Sequence, residues 1–195
     1  MPPARPLVLA LLMTVALGAA PAHGHWWQVD QGSCNAANYG RWAHHHTRTY
    51  TFLNSVTNSS WYNETRDAQL DWHGKVALTF PSTSDHAQAH IHVVDAYYGD
   101  TNWYGAAHYA CYHPGAGDSN DHVQLNDTYA LSIGAYNQQA VACQEIGHII
   151  GESHHPGDCM GYPYYSPDYT ATAGSHTVAD INGYYNAPPD GSPGH

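Results

Sequence analysis

The sequence predicts an α+β domain built on one mixed sheet with few helices. Three observations point there. A strand-like run and a helical run open the domain, several short strands follow, and one strong helix comes late in the chain. Arg48 to Val56 (RTYTFLNSV) is rich in aromatic and β-branched residues, which favours a strand. Asn58 to Trp72 places Trp61, Ala68 and Trp72 on one helical stripe, with Leu70 nearby and polar residues between. Val76 to Phe80 reads as a short strand closed by Pro81, and Ala89 to Ala96 (AHIHVVDA) as another. Trp103 to Cys111 and His122 to Tyr129 are further strand candidates, separated by a Pro/Gly/Asp loop at 113–120. Tyr136 to Gly151 is the strongest helix, apolar at Val141, Ile146, Ile149 and Ile150. Pro156, Gly157, Gly161 and Pro163 break the chain after it, and Thr177 to Tyr185 suits a last helix. Residues 187–195 read as a frayed Pro/Gly tail.

The first 22 residues are set apart from this domain. Arg5 precedes the apolar run Leu7 to Ala20, and Ala20-Pro21-Ala22 supplies the small residues a signal peptidase reads. The run is short for a membrane span. We therefore expect a cleaved secretory signal at 1–22, a secreted, extracellular protein and no membrane association after cleavage. Removing Arg5 leaves 4 basic residues against 16 acidic ones, a formal charge of −12 with neutral His. That charge argues against nucleic acid and anionic membranes as partners. Histidine is abundant, 17 residues against 5 Lys plus Arg, and most of it reads as surface substitution for those two.

The chemistry concentrates in residues 143–162, CQEIGHIIGESHHPGDCMGY. Gln144 and His148 are four apart and share one helical face, with Glu145 beside them. Two ligands at that spacing and a carboxylate next to the first suit a metal that acidifies water and a base that takes its proton. Gly151 can end the helix in a left-handed conformation, letting the chain turn back and present His154. Cys143 and Cys159 flank this segment. Four cysteines in a secreted chain suggest two disulfides with three pairings. A Cys143–Cys159 bond would brace the segment, and that pairing leaves Cys34 with Cys111.

This segment resembles the long metzincin motif, H-E-x-x-H-x-x-G-x-x-H followed by a Met-turn. Glu145 matches the general base, His148 and His154 the second and third zinc ligands, Gly151 the helix-ending glycine and Met160 the Met-turn residue. Tyr162 stands where astacins, within that group, place a Tyr near the metal. The resemblance extends to Asn58–Trp72 as the first helix, AHIHVV as zinc-side strands, YGDTNWYGAA as the approach to the substrate-binding edge strand, and Val178–Tyr185 as the C-terminal helix. It is similar to secreted bacterial matrixin-like proteins with Gln-Glu at the same place. It implies a metzincin-like zincin fold over 23–186, with a twisted mixed sheet, a long active-site helix, a Met-turn and a C-terminal helix. It also implies one Zn2+, held by Gln144, His148 and His154, with Glu145 and Tyr162 catalytic.

The departure is Gln144, where the family has its first His. An amide oxygen is a hard, weak ligand, whereas zinc favours N and S donors. Gln144 coordinates with help from Tyr162 or His155, a distant His substitutes, or the site no longer holds a catalytic metal. The expected function is a secreted, monomeric zinc metalloendopeptidase acting on proteins or peptides. The alternatives are an inactive binding protein on the same scaffold and a His-rich metal-binding protein.

Three lesser signals stand outside the motif. His44-His45-His46 reads as a surface tract. His90 and His92 share a strand face with His86 nearby, either pairing on a metal or lying exposed. His23-Gly24-His25 would offer a Cu(II) chelate at a new N-terminus. The sequons at Asn58, Asn63 and Asn126 matter only in a host that glycosylates.

Overall fold

A computed structural model describes residues 48–108, 121–152, 154–161 and 169–186. The leader, the candidate copper chelate, the His44–His46 tract, Cys34, Cys111, Tyr162 and the tail lie outside the described residues. The elements run β1 (Phe52–Asn54), α1 (Ser59–Lys75), a 3₁₀ turn (His86–Gln88), β2 (Ile91–Ala96), β3 (Gly105–His108), β4 (Asp121–Asn126), α2 (Ala130–Ile149) and α3 (Ser175–Asn186). Four strands form one sheet in the order β1-β2-β4-β3. β1, β2 and β4 are parallel, and β3 runs antiparallel to β4 at the edge. This is the mixed α+β architecture expected.

Local chemistry explains the helices. Asn58 caps α1 by accepting from the Ser60 amide at 3.0 Å. Trp61, Thr65, Ala68, Gln69 and Trp72 are its buried stripe. Leu70 falls off that stripe and is exposed. Asp71 and Lys75, one turn apart, pair at 2.7 Å at its end. α2 is broken at Gly134, whose φ of 70° and ψ of 160° are not helical, so the long helix resumes beside Tyr136, where periodicity predicts it. From Ala140 to Ile149 every residue of α2 is buried, and the helix runs through the core.

Val76–Phe80 does not become a full strand: only Thr79 bridges, to Thr49. Its neighbours are committed elsewhere, since the Phe80 amide donates to His73 Nδ1 at 3.0 Å and its carbonyl accepts from Gln69 Nε2 at 2.7 Å. Alternation puts Ile91, Val93, Val123 and Leu125 into the core with the helices. His92 and His122 therefore stand on the opposite face of the sheet. α3 closes the far side, where the hydroxyls of Tyr50 and Tyr185 meet at 2.6 Å and Tyr185 also donates to the Ile150 carbonyl at 3.2 Å. Asn126 is fully buried, its amide donating to the Gly99 carbonyl at 3.0 Å and Thr101 Oγ1 at 2.9 Å. Its sequon is thus closed to glycosylation in the folded chain.

Candidate metal centre

Gln144, Glu145 and His148 lie in the buried half of α2. Trp72 of α1 fixes that stretch by donating its indole N–H to the Cys143 carbonyl at 3.0 Å. The helix ends as the glycine requires. Gly151 has φ of 110°, a region L side chains rarely adopt, and its amide bonds the His148 carbonyl at 3.1 Å. Glu152 then bonds the Gly147 carbonyl at 2.9 Å, and the chain reverses.

The reversal brings His154 back to His148. Their Nε2 atoms are 3.1 Å apart, with ring centroids 4.5 Å apart and planes nearly perpendicular. His148 Nδ1 lies 2.8 Å from the Glu152 carbonyl, an acceptor, so the proton sits on Nδ1 and the Nε2 lone pair faces His154. The two Nε2 atoms are near enough to be offered to one ion, and imidazole nitrogen is a donor that zinc favours. Gln144 spends its amide Nε2 on the Gly161 carbonyl at 2.7 Å, which leaves the harder oxygen as its remaining donor atom. An amide oxygen is a weaker zinc donor than an imidazole, so two imidazoles with such an oxygen would hold zinc less firmly than three imidazoles.

Electrostatics follow from burial. His148 is pushed down to about 4, chiefly by desolvation and further by His154, against a bond to the Glu152 carbonyl that favours the charged form. His154 is lowered by burial and then by His155. Both are neutral bases at neutral pH. Glu145 is pushed up to about 8 by burial, partly offset by a hydrogen bond from the Ala107 backbone. That bond ties it to edge strand β3. A Cβ on Gly105 would lie 2.7 Å from Val141 Cγ1 and 2.8 Å from Glu145 Cγ, so β3 approaches α2 this closely only because Gly105 has no side chain.

Cys143 and Cys159 form a disulfide with Cα atoms 6.0 Å apart. Asp158 organises the turn, accepting from the Met160 amide through Oδ1 at 2.8 Å, and from the Gly174 amide at 2.8 Å and the Thr177 hydroxyl through Oδ2. Met160 is fully buried against Gly147. His155 turns away from the pair, its Nε2 2.6 Å from Thr177 Oγ1.

A second histidine group lies on the outer face of the sheet. One nitrogen from each of His86, His92 and His122 lies within 4.8 Å of the others, so the three together could hold a metal ion. Burial, then the neighbouring His86 and His122, holds His92 below the usual imidazole range. His90, expected beside His92, is absent from the group because β2 begins only at Ile91. Its Nδ1 instead accepts from the Thr51 amide at 3.1 Å. His122 takes its place through register, a pairing that no local pattern reveals.

No family model matches the chain, and no curated protein does. A solved structure described as "Structure of myroilysin" is similar with a TM-score of 0.40 and 12% identity, over 58% of this chain and 52% of that one. The chain thus spans about half the length of that neighbour.

Proposed function

We propose that this chain is a secreted zinc-dependent endopeptidase of the metzincin type. The observation that carries the reading is the 3.1 Å approach of His148 Nε2 and His154 Nε2, with Glu145 buried on the same helix. His148 and His154 are the firm ligands, and Gln144 Oε1 is the weak one. Zinc held there would supply Lewis acidity, lowering the pKa of a water molecule and polarising a peptide carbonyl. Glu145 takes a proton from the attacking water and delivers it to the amine nitrogen as the C–N bond breaks. Burial raises its pKa, and a cation bound nearby would favour the carboxylate. β3 is the sheet edge beside Glu145, and an extended peptide pairing there would present its carbonyl to the site. Met160 plays the part of the Met-turn, and Tyr162 is placed by the same resemblance as an oxyanion donor.

A second reading is a non-catalytic binding protein on this scaffold, favoured by Gln144 in place of an imidazole. Retention of Glu145 favours the enzyme, because a binder has no use for a buried base. The deciding experiment is the metal content of the purified chain before and after His148→Ala. About one zinc lost in the variant, with peptide cleavage lost alongside it, supports the peptidase. Zinc content unmoved by that variant defeats it.

A further inference from the structure

The outer-face histidines are arranged by elements unrelated to α2. His92 and His122 are register partners on adjacent parallel strands, and side chains at such positions stand on one face about 4.8 Å apart. Their ring centroids are 5.5 Å apart, and His86 packs edge-on to His92 at 4.7 Å. His86 arrives from the 3₁₀ turn, which Asp85 caps by accepting from the Ala87 amide at 2.9 Å. His92 is 8% exposed, its Nε2 lies 2.9 Å from Ser55 Oγ, and its Nδ1 is buried with no hydrogen-bond partner. Buried polar atoms are normally satisfied. A ring with one nitrogen oriented by a hydroxyl and the other left open is what a metal-ligating imidazole with its outer partner looks like. His108, next in the row across the sheet, is spoken for, with Nε2 3.1 Å from Gln124 Oε1.

We propose that His86, His92 and His122 form a second metal site, distinct from the α2 centre, which binds one divalent ion of the zinc type and clamps the 3₁₀ turn onto the sheet. Three imidazoles suit zinc and its neighbours in the transition series, and rotation of the three rings from within 4.8 Å brings their nitrogens to a common ion. Solvent completes the coordination on the side of exposed His86.

The test counts zinc per chain after chelation, zinc reloading and gel filtration, for the full-length protein and for His86→Ala, His148→Ala and His90→Ala. His86 is exposed, so its replacement leaves the core untouched. The expected result is one zinc fewer in His86→Ala, with that ion kept in His148→Ala and in His90→Ala. Ser55→Ala, which removes only the orienting hydroxyl, should weaken the same ion about 10- to 100-fold without abolishing it. An unchanged zinc count and affinity in His86→Ala overturns the proposal, as does an equal loss in His90→Ala, which would mean diffuse binding by surface histidines. Loss of all zinc in His148→Ala also overturns it. Zinc lost in His86→Ala and unmoved by His148→Ala upholds this site while defeating the peptidase centre.

Discussion

Gly147 and Met160 occupy each other's space. A Cβ built on Gly147 runs into the Met160 sulfur and would lie 3.0 Å from both Met160 Cε and Trp72 Cζ2. The glycine is required by proximity rather than by backbone conformation. Gly147→Ala should therefore destabilise the fold by about 1–3 kcal/mol through overpacking. Thermal melting would show it, and Met160→Ala in the same chain should recover part of the loss. A Gly147→Ala protein as stable as the parent would mean that Met160 does not pack there.

Glu145→Gln keeps size and burial but removes the proposed base. Peptide cleavage should fall by at least about 100-fold while zinc content stays near that of the parent. Activity equal to the parent would assign the proton transfer elsewhere.

Gln144→His tests the proposed role of Gln144 as the weak ligand. The amide donates to Gly161 at 2.7 Å, so position 144 already points toward the turn that carries Met160. An imidazole there should raise zinc affinity by at least tenfold, measured by competition with a chelator. No gain would show that the geometry around position 144 is not that of a ligand.

The metal-free protein should have a pH-dependent stability with a definite sign. His148 falls from 6.5 to about 4 on folding, so the unfolded chain binds more protons between those values. Stability from this group is complete above pH 6.5 and is lost as pH falls toward 4. Glu145 rises from 4.5 to about 8, so the folded chain binds more protons in that window, and its contribution is lost as pH rises through 8. The two oppose each other from 4.5 to 6.5, and between them only Glu145 acts above 6.5. Melting temperatures of chelated protein should decline from pH 6.5 to 8, and Glu145→Gln should flatten that decline. A parent as flat as the variant would place Glu145 in water.

Reduction of Cys143–Cys159 should cost about 3 kcal/mol in the chain-entropy view, for cysteines 16 positions apart. Chemical denaturation with and without reductant measures it. A stability unchanged by reduction would mean that the loop is held without the bond.

Much of this was legible because it is local. The α1 stripe of Trp61, Ala68 and Trp72 and the left-handed Gly151 follow from spacing and residue type alone. So does the meeting of His148 and His154, six residues apart across one glycine turn. What was not legible depends on distant pairings. The outer-face group needs His92 opposite His122, and alternation alone put His90 in its place. The run at 76–80 has strand composition, yet only Thr79 pairs in strand fashion, and the backbone of Phe80 is bonded to His73 and Gln69 of the neighbouring helix. Leu70 sits near the stripe in sequence and one step off it in space.

The disulfide has a topological consequence. From Cys143 along the chain to Cys159 and back through sulfur is one covalent ring, and Gln144, Glu145, His148 and His154 all hang from it. Cutting a ring once does not divide it. A nick in the turn between His148 and Cys159 would leave both imidazoles on a single connected molecule. Only a second event, reduction of the bond, would let the two halves of the centre drift apart.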